Sequence, residues 1–458
     1  MHHHLSVKTI KTAVLLAVAT ICTYQADASA RAFFVSPTGD GSDGMTWKKA
    51  WKDPAQINWA SVNPGDQIVL DGGTSGITYE TSFTIPKSGT AGAPIVVRQS
   101  PQAGHNGKIT LYGGSDKPPA GYNTGIPTGV NIAGSYVHFV GARRAGIKMY
   151  SYRTTCINLA PGTQNSTVRN IEIENRVSLP PYGAIICSGM EFAGYNNQVI
   201  DCDFRNCFNG ARENAPAGAN NRVVFRECTF GSTQHFGGFS RGCGTGITSA
   251  SPLAPAHTTE IVSHRNIFGP YLTIGVIMHS GKLNATDNLF LGESIYMIDA
   301  EPQFANTTDV RVNRCTFITP FYPVVLSPTN PFPPKIGMLG FPIRTNGVGT
   351  FKVANSIFYG GTISVPAAFK VNAGGNFQYR VAGNTTALAG VLQDPQLVDG
   401  PAINALPDDY VPYTLSTLNY APLPTSPAVG KGSQLTTVSE LTAPYGPTVK
   451  IPVTLGGP

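Results

Sequence analysis

The chain has 458 residues, of which 41% are hydrophobic and only 13% charged, with 51 Gly and 36 Pro. Its net charge of +6 is modest for this length. It admits an anionic partner but, with no basic run and no aromatic–basic alternation, excludes a nucleic-acid signature. So many turn formers and so few charges fit an exported, loop-rich β protein with ample length for a large core.

At the start, Lys8 and Lys11 precede the apolar run AVLLAVATI (Ala13–Ile21), and Ala28-Ser29-Ala30 is a small-x-small cleavage site. Residues 1–30 therefore read as a secretory signal peptide, too short for a membrane span. His2, His3 and His4 go with it and are no metal site. No later segment is apolar for long enough to span a membrane, so the expected location is secreted, periplasmic or on the cell surface, with no membrane partner.

All three Trp (Trp47, Trp51, Trp59) fall in one short window after AFFVSPTGDGSDG. Trp47 and Trp51 are spaced i, i+4, which predicts a helix ending near the turn Asn63-Pro64-Gly65-Asp66. Such a helix would lay its aromatic face over the open end of a repeating fold. The alternative use of these Trp is as sugar-stacking platforms. QIVL (Gln67–Leu70) and PIVVR (Pro94–Arg98) are then the first strands, followed by SYVHFVGAR (Ser135–Arg143) and STVRNIEIEN (Ser166–Asn175).

From Asn197 to Phe358 one eight-residue phrase recurs six times: NQVIDCDF, VVFRECTF, IVSHRNIF, LNATDNLF, VRVNRCTF and FKVANSIF. Every copy ends in Phe (204, 230, 268, 290, 317, 358). Two residues earlier stands Cys202, Cys228, Asn266, Asn288, Cys315 or Ser356. Five earlier stands Val199, Phe225, Ser263, Ala285, Val312 or Val353. These positions face one way on a short strand with one bend. The shortest interval between Phe residues is 22, one bare coil; the longer ones carry inserted loops, Gly231–Glu260 and Ile318–Thr350. Repeats of this size with short strands and small polar ladder residues predict an all-β parallel β-helix. Stacking would put Phe on Phe about 4.8 Å apart, with Asn amides bonding the coils above and below.

The phrases FFVSPTGDGSDG, NPGDQIVL and SGTAGAPIVVR near the start, and DPQLVD (Asp394–Asp399) and SPAVGKG (Ser426–Gly432) near the end, resemble secreted right-handed parallel β-helix proteins of the pectate-lyase-like superfamily. The resemblance implies a solenoid over residues 31–400, including an N-terminal cap with its capping helix. Residues 401–458 form a Pro-rich C-terminal cap or packed tail. Polysaccharide lyases, glycoside hydrolases, esterases, epimerases and proteins with no known catalysis share the superfamily, so the resemblance fixes fold rather than activity.

Of eight Cys, Cys22 lies in the signal, leaving an odd number and no CxxC pair. Cys202 and Cys228, on adjacent coils, either form a disulfide or stack as free thiols. Zinc is not expected from these spacings.

Chemistry is sought on outward or loop positions. The second strands, NGARE (209–213), GITSA (246–250), GVIMHS (275–280) and YMIDAE (296–301), align loosely to stack Arg212 and Glu213, then Thr248 and Ser249, then His279, then Asp299 and Glu301, with Lys282 just beyond. Two chemistries fit. In a uronate lyase, Arg212 or a bound cation neutralises the substrate carboxylate while His279 or Lys282 removes the adjacent proton. In a glycoside hydrolase two carboxylates flank the bond about 5 to 9 Å apart; Asp299 and Glu301 are roughly 6.5 Å apart at i, i+2, with Glu213 opposing. Asp201 and Asp203, with a neighbouring coil, offer a Ca²⁺ site. Asp201, Glu227, Arg265, Asp287 and Arg314 form a second outward row of mixed sign, a surface ladder of compensating charges. Lyases of the chondroitinase-B and alginate-lyase type use a Lys and an Arg on successive late coils. HRNIF holds part of that pattern, its Lys is misplaced, and the pectate-lyase Asp cluster is incomplete, so no family residue is carried over. Between Ala142 and Lys282 thirteen Lys and Arg face eight Asp and Glu. The expected function is a secreted lyase acting on an acidic, uronate-containing polysaccharide by β-elimination. The alternatives are a hydrolase or a non-catalytic glycan-binding or surface protein.

Overall fold

The computed structural model describes residues 30–115, 125–175, 187–216, 218–231, 245–249, 259–269, 272, 274–291, 296–300, 307–318, 337–340, 348–359, 362–364, 370–379, 382–383, 390–397 and 423–428. The segment read as a signal peptide, most of 401–458 and much of the two inserted loops lie outside them. Among the described residues, no helix is long and apolar enough to cross a membrane.

Each eight-residue phrase folds as two strands joined at one left-handed residue. In the second copy Arg222–Arg226 is a strand, Glu227 turns with φ 59°, and Thr229–Gly231 is the next strand. The corresponding turn residues Asp201, Arg265, Asp287, Arg314 and Asn355 have φ between 51° and 57°. A single left-handed residue bends the chain sharply and turns the following Cys, Asn or Ser into the interior.

Repetition of this unit builds three sheets with parallel strand pairs throughout. Among the described residues the first has twelve strands, from Ala32–Val35 to Lys370–Gly374; the second has twelve, from Ile77–Glu80 to Gly390–Leu392; the third has eleven, from Phe83–Ile85 to Ala382–Gly383. The chain visits them in that order on each full coil. The fold is a right-handed parallel β-helix.

The expected ladders are present. Phe204, Phe230, Phe268, Phe290, Phe317 and Phe358 stack face to face, with successive ring centroids 4.6, 5.0, 4.7, 4.7 and 4.8 Å apart. Beside them the Asn266 backbone N–H donates to Asn288 Oδ1 at 2.8 Å, and Asn266 Nδ2 donates to the Phe225 carbonyl at 2.9 Å. The amides thus satisfy peptide groups of neighbouring coils that the bend removes from sheet pairing. Cys202, Cys228 and Cys315 are free, buried thiols in this same line.

The ring stack makes a demand on the third sheet. Gly210, Gly246 and Gly275 lie on successive coils there, and a Cβ on each would come within 2.7, 2.9 and 3.1 Å of the Phe230, Phe268 and Phe290 rings. Glycine at these places lets the third sheet close against the rings.

The N-terminal cap differs from expectation. In place of an α-helix at Trp47–Trp51 there are turns and two short 3-10 helices, Pro54–Gln56 and Trp59–Ser61. Their tight bends begin at Asp53 and Asn58, whose side chains accept from the N–H groups of Ala55 and Ala60 and so hold the chain in turns. The end of the solenoid is still covered. Trp51 bridges Val35 and stacks on Phe33 at 5.3 Å, and the Phe34 N–H donates to Gly44 O at 2.7 Å, which uses the open edge of the first strand. Trp51 is buried and cannot stack on a sugar.

Candidate functional site

Alternation along the third-sheet strands decides which side chains face out. Ile157, Met190, Ala211, Ile247 and Val276 are fully buried. The residues that follow them are half-buried and outward: Asn158, Glu191, Arg212, Thr248 and Ile277. The register places these five one above the other on successive coils, with Asp299 next in line. This row is the candidate site.

Its centre is Glu191 and Arg212, one rung apart. Glu191 Oε2 accepts from Asn214 Nδ2 at 3.0 Å. Burial pushes the Glu191 carboxyl above its ordinary range, outweighing the Arg212 charge and the Asn214 bond, which pull it down. Arg212 makes no hydrogen bond or ion pair among the described residues, so its five donors are left unused on the outward face of the third sheet. On the other side of Glu191, Asn158 Nδ2 donates to Asn131 Oδ1 at 2.9 Å, while Asn158 Oδ1 is buried without a partner. Beyond Arg212, Thr248 Oγ1 donates to Asn209 Oδ1 at 3.2 Å.

The structure divides the row expected from sequence. Arg212 and Asp299 share one register position on the third sheet, three rungs apart, or roughly 14 Å. The residue paired with Asp299 is Ile277, so His279 lies two positions further on, past the strand end. His279 is half-buried there, and its backbone N–H donates to Ser249 Oγ at 2.9 Å. Glu301 lies outside the described residues. Glu213 points the other way: it is 2% exposed and accepts from Asn221 Nδ2 at 3.1 Å and from Thr259 Oγ1. It holds the turn between sheets and cannot oppose Asp299 across a glycan, because strand alternation puts it one residue off the outward position. Lys282 belongs to the first sheet, where its Nζ pairs with Glu260 Oε1 at 3.3 Å and its strand neighbour is Asp309.

The Ca²⁺ reading of Asp201 and Asp203 meets a competitor. Arg144, from the bend before the Ile147–Tyr150 strand, donates to Asp203 Oδ1 at 2.5 Å and to Asp201 Oδ1 at 2.7 Å. A guanidinium fills the place where a cation would sit and supplies its charge. The mixed-sign row of turn residues is the expected charge ladder. Arg314 grips Asp287 with two bonds of 2.7 and 2.9 Å, and Arg265 approaches Glu227 at 3.8 Å.

Sequence reasoning missed Glu191. Its strand, Ser188–Phe192, precedes the first regular phrase and was not aligned with the second strands. The signal was available: SGMEF and NGARE share a Gly at the second position, the residue that faces the Phe stack in the later coils.

No protein-family model matches the chain, and no curated protein matches it in sequence. Solved structures do. A pectate lyase, Pel9A, superposes with a TM-score of 0.55 at 16% identity, covering 89% of this chain and 92% of that one. XylC in complex with xylose gives 0.47 at 9% identity, over 80% and 87%. A rhamnogalacturonan lyase gives 0.44 at 14% identity, over 81% and 91%. The chain has the pectate-lyase-like parallel β-helix fold.

Proposed function

We propose that this protein is a polysaccharide-active enzyme and that it cleaves an acidic, uronate-containing glycan by β-elimination along the outward face of the third sheet. The observation that carries the reading is Arg212: a half-buried residue with no hydrogen bond or ion pair among the described residues, one rung from Glu191 and followed on the next two coils by the uncharged Thr248 and Ile277. An anion is what completes such a site. A polyuronate offers carboxylates at regular intervals along a chain that can lie on the stacked coils. The fold shared with a protein named as a pectate lyase agrees with this substrate class.

In this reaction Arg212 binds the uronate carboxylate and withdraws charge from it, which acidifies the adjacent C5–H. A base removes that proton, the C–H electron pair becomes the C4=C5 double bond, and the C4–O bond breaks with its electrons to oxygen, which takes up a proton. His279 is the described imidazole beyond the same strand ladder and the base of choice. Its rung is two from that of Arg212, about 10 Å along the axis, a gap that the long Arg212 side chain and the bound sugar between them would have to close. Lys282 is the weaker choice because Glu260 already holds it on a different sheet.

Hydrolysis is less well supported. Glu191 and Asp299 are four rungs apart, roughly 19 Å, and an inverting pair needs about 6.5–9.5 Å. The test is incubation with pectin, alginate, chondroitin and heparin, with and without Ca²⁺. Ultraviolet absorbance from an unsaturated uronate is expected. New reducing ends without that absorbance would mean hydrolysis, and neither product would favour a glycan-binding protein.

A further inference from the structure

We propose that the outward row of the third sheet takes a sparsely charged acidic glycan, one in which at least two uncharged sugars separate each uronate from the next, and that a homopolyuronate is its poorer ligand. This deepens the lyase reading and rests on it for the place and direction of the glycan.

Six coils supply the row: Asn131, Asn158, Glu191, Arg212, Thr248 and Ile277 follow one another in register. It runs roughly 24 Å along the axis, at about 4.8 Å per rung. Arg212 is the one cation among these six, and the next register position belongs to Asp299. A glycan sugar advances about as far as one coil, so a chain laid along the row places successive sugars near successive rungs.

Once one carboxylate is on Arg212, the places of its neighbours follow. Where successive sugars face the same way, the next carboxylates meet Glu191 and Thr248, one rung to either side. Where they face alternate ways, those that meet the row stand two rungs off, at Asn158 and Ile277. None of the four is a cation. Glu191 sets oxygen against oxygen and adds positive charge in neither protonation state. Ile277 is half-buried hydrocarbon, against which a carboxylate loses water and gains no partner. Asn158 has committed its Nδ2 to Asn131 Oδ1.

Uncharged sugars suit the same places. Asn131 Nδ2 makes no hydrogen bond among the described residues and can donate to a sugar hydroxyl. Thr248 Oγ1, which donates to Asn209, can accept from one, as can the Glu191 carboxyl beside its bond from Asn214. Ile277 can lie against the C–H face of a ring.

The experiment is calorimetric binding to the full chain, at one ionic strength, with three probes of falling charge density. Oligogalacturonate carries a carboxylate on every sugar, hyaluronan oligosaccharides on every second, and deacylated gellan oligosaccharides on every fourth. Affinity should rise along that series by about tenfold, the scale of one charge-assisted hydrogen bond. Charge density alone would give the reverse order. Ile277→Lys supplies a cation two rungs from Arg212 and should bring oligogalacturonate to within about threefold of gellan, while its stem keeps the apolar contacts. Thr78→Lys adds the same charge at an exposed position on the second sheet and should leave the series as it was. Oligogalacturonate that binds as tightly as gellan overturns the proposal. So does an Ile277→Lys series no different from that of Thr78→Lys, or a failure to bind all three probes. Unsaturated product decides the lyase reading separately. A rising series without that product upholds the sparse-charge specificity and removes β-elimination. Product formed fastest from oligogalacturonate upholds β-elimination and removes the sparse-charge specificity.

Discussion

On the outward face of the second sheet, Lys108 meets Glu172 at 2.6 Å, Lys148 meets Glu174 at 2.5 Å, and Arg144 spans two coils to hold Asp203 and Asp201. On the outward face of the third sheet, Glu191 and Arg212 stand on neighbouring coils without pairing, and Asn158 offers an oxygen to nothing. Both faces are built on the same coils and the same buried interior. The difference lies in what the charges do. Where each has a partner, the face is finished and acts as cladding. Where burial is half complete and partners are withheld, the face still has an interaction to make.

The shared interior sets the largest expected effect. Phe268→Ala should cost about 3–5 kcal/mol in denaturant unfolding, since the ring lies between Phe230 and Phe290 and opposite Gly246. A smaller loss would show that the coils collapse independently of the ring stack. Next comes the sharpest contrast. Arg212→Ala should lower kcat/KM on a polyuronate about 100-fold or more while unfolding stays within about 0.5 kcal/mol of wild type. Arg144→Ala should do the reverse, costing about 2 kcal/mol because Asp203 is left buried without its partner, with kcat/KM unchanged. If both variants lose activity alike, the second sheet is not mere cladding and the comparison fails.

A smaller effect is read through pH. The fold raises the Glu191 carboxyl above its ordinary range, so the folded protein holds that proton more tightly than the unfolded chain. Its contribution to stability is complete below the unfolded carboxyl value, about 4.3 for Glu, and is lost as pH rises through the folded value. Glu191→Gln should therefore flatten that part of the stability–pH curve, measured by thermal midpoints in a series of buffers. The least effect is expected at a turn. Arg265 has φ 53°, and its ion pair with Glu227 is long, at 3.8 Å. Arg265→Asn should raise the thermal midpoint slightly, by about 0.5 kcal/mol of stability, because Asn tolerates the left-handed conformation and a surface pair contributes little.

The phrases ending in Phe204 through Phe358 were enough to determine the fold. A solenoid repeats its contacts with its sequence, so the aromatic stack, the Asn266–Asn288 ladder and the bend beside it are all written in one eight-residue pattern. The alternating signs of Asp287 and Arg314 were legible for the same reason, as turn residues on successive coils pair directly. The outward row of the third sheet was less legible. Glu213 and Arg212 are sequence neighbours, yet one is sealed in a turn and the other faces out, because side chains alternate along a strand and a shift of one position reverses them. Lys282 and His279 are three residues apart, but one is on the first sheet and the other lies past the end of a third-sheet strand. Loop lengths between coils vary, so spacing along the chain does not give the register of the third sheet. Only the hydrogen-bonded stacking of coils brought Asn158, Glu191 and Arg212 onto one line, although they span more than fifty positions of the sequence. The composition and the repeat settled which backbone forms, since both are properties of local pattern. Which carboxylate meets which guanidinium was decided by the coil-to-coil register, a tertiary quantity set by every strand pair together.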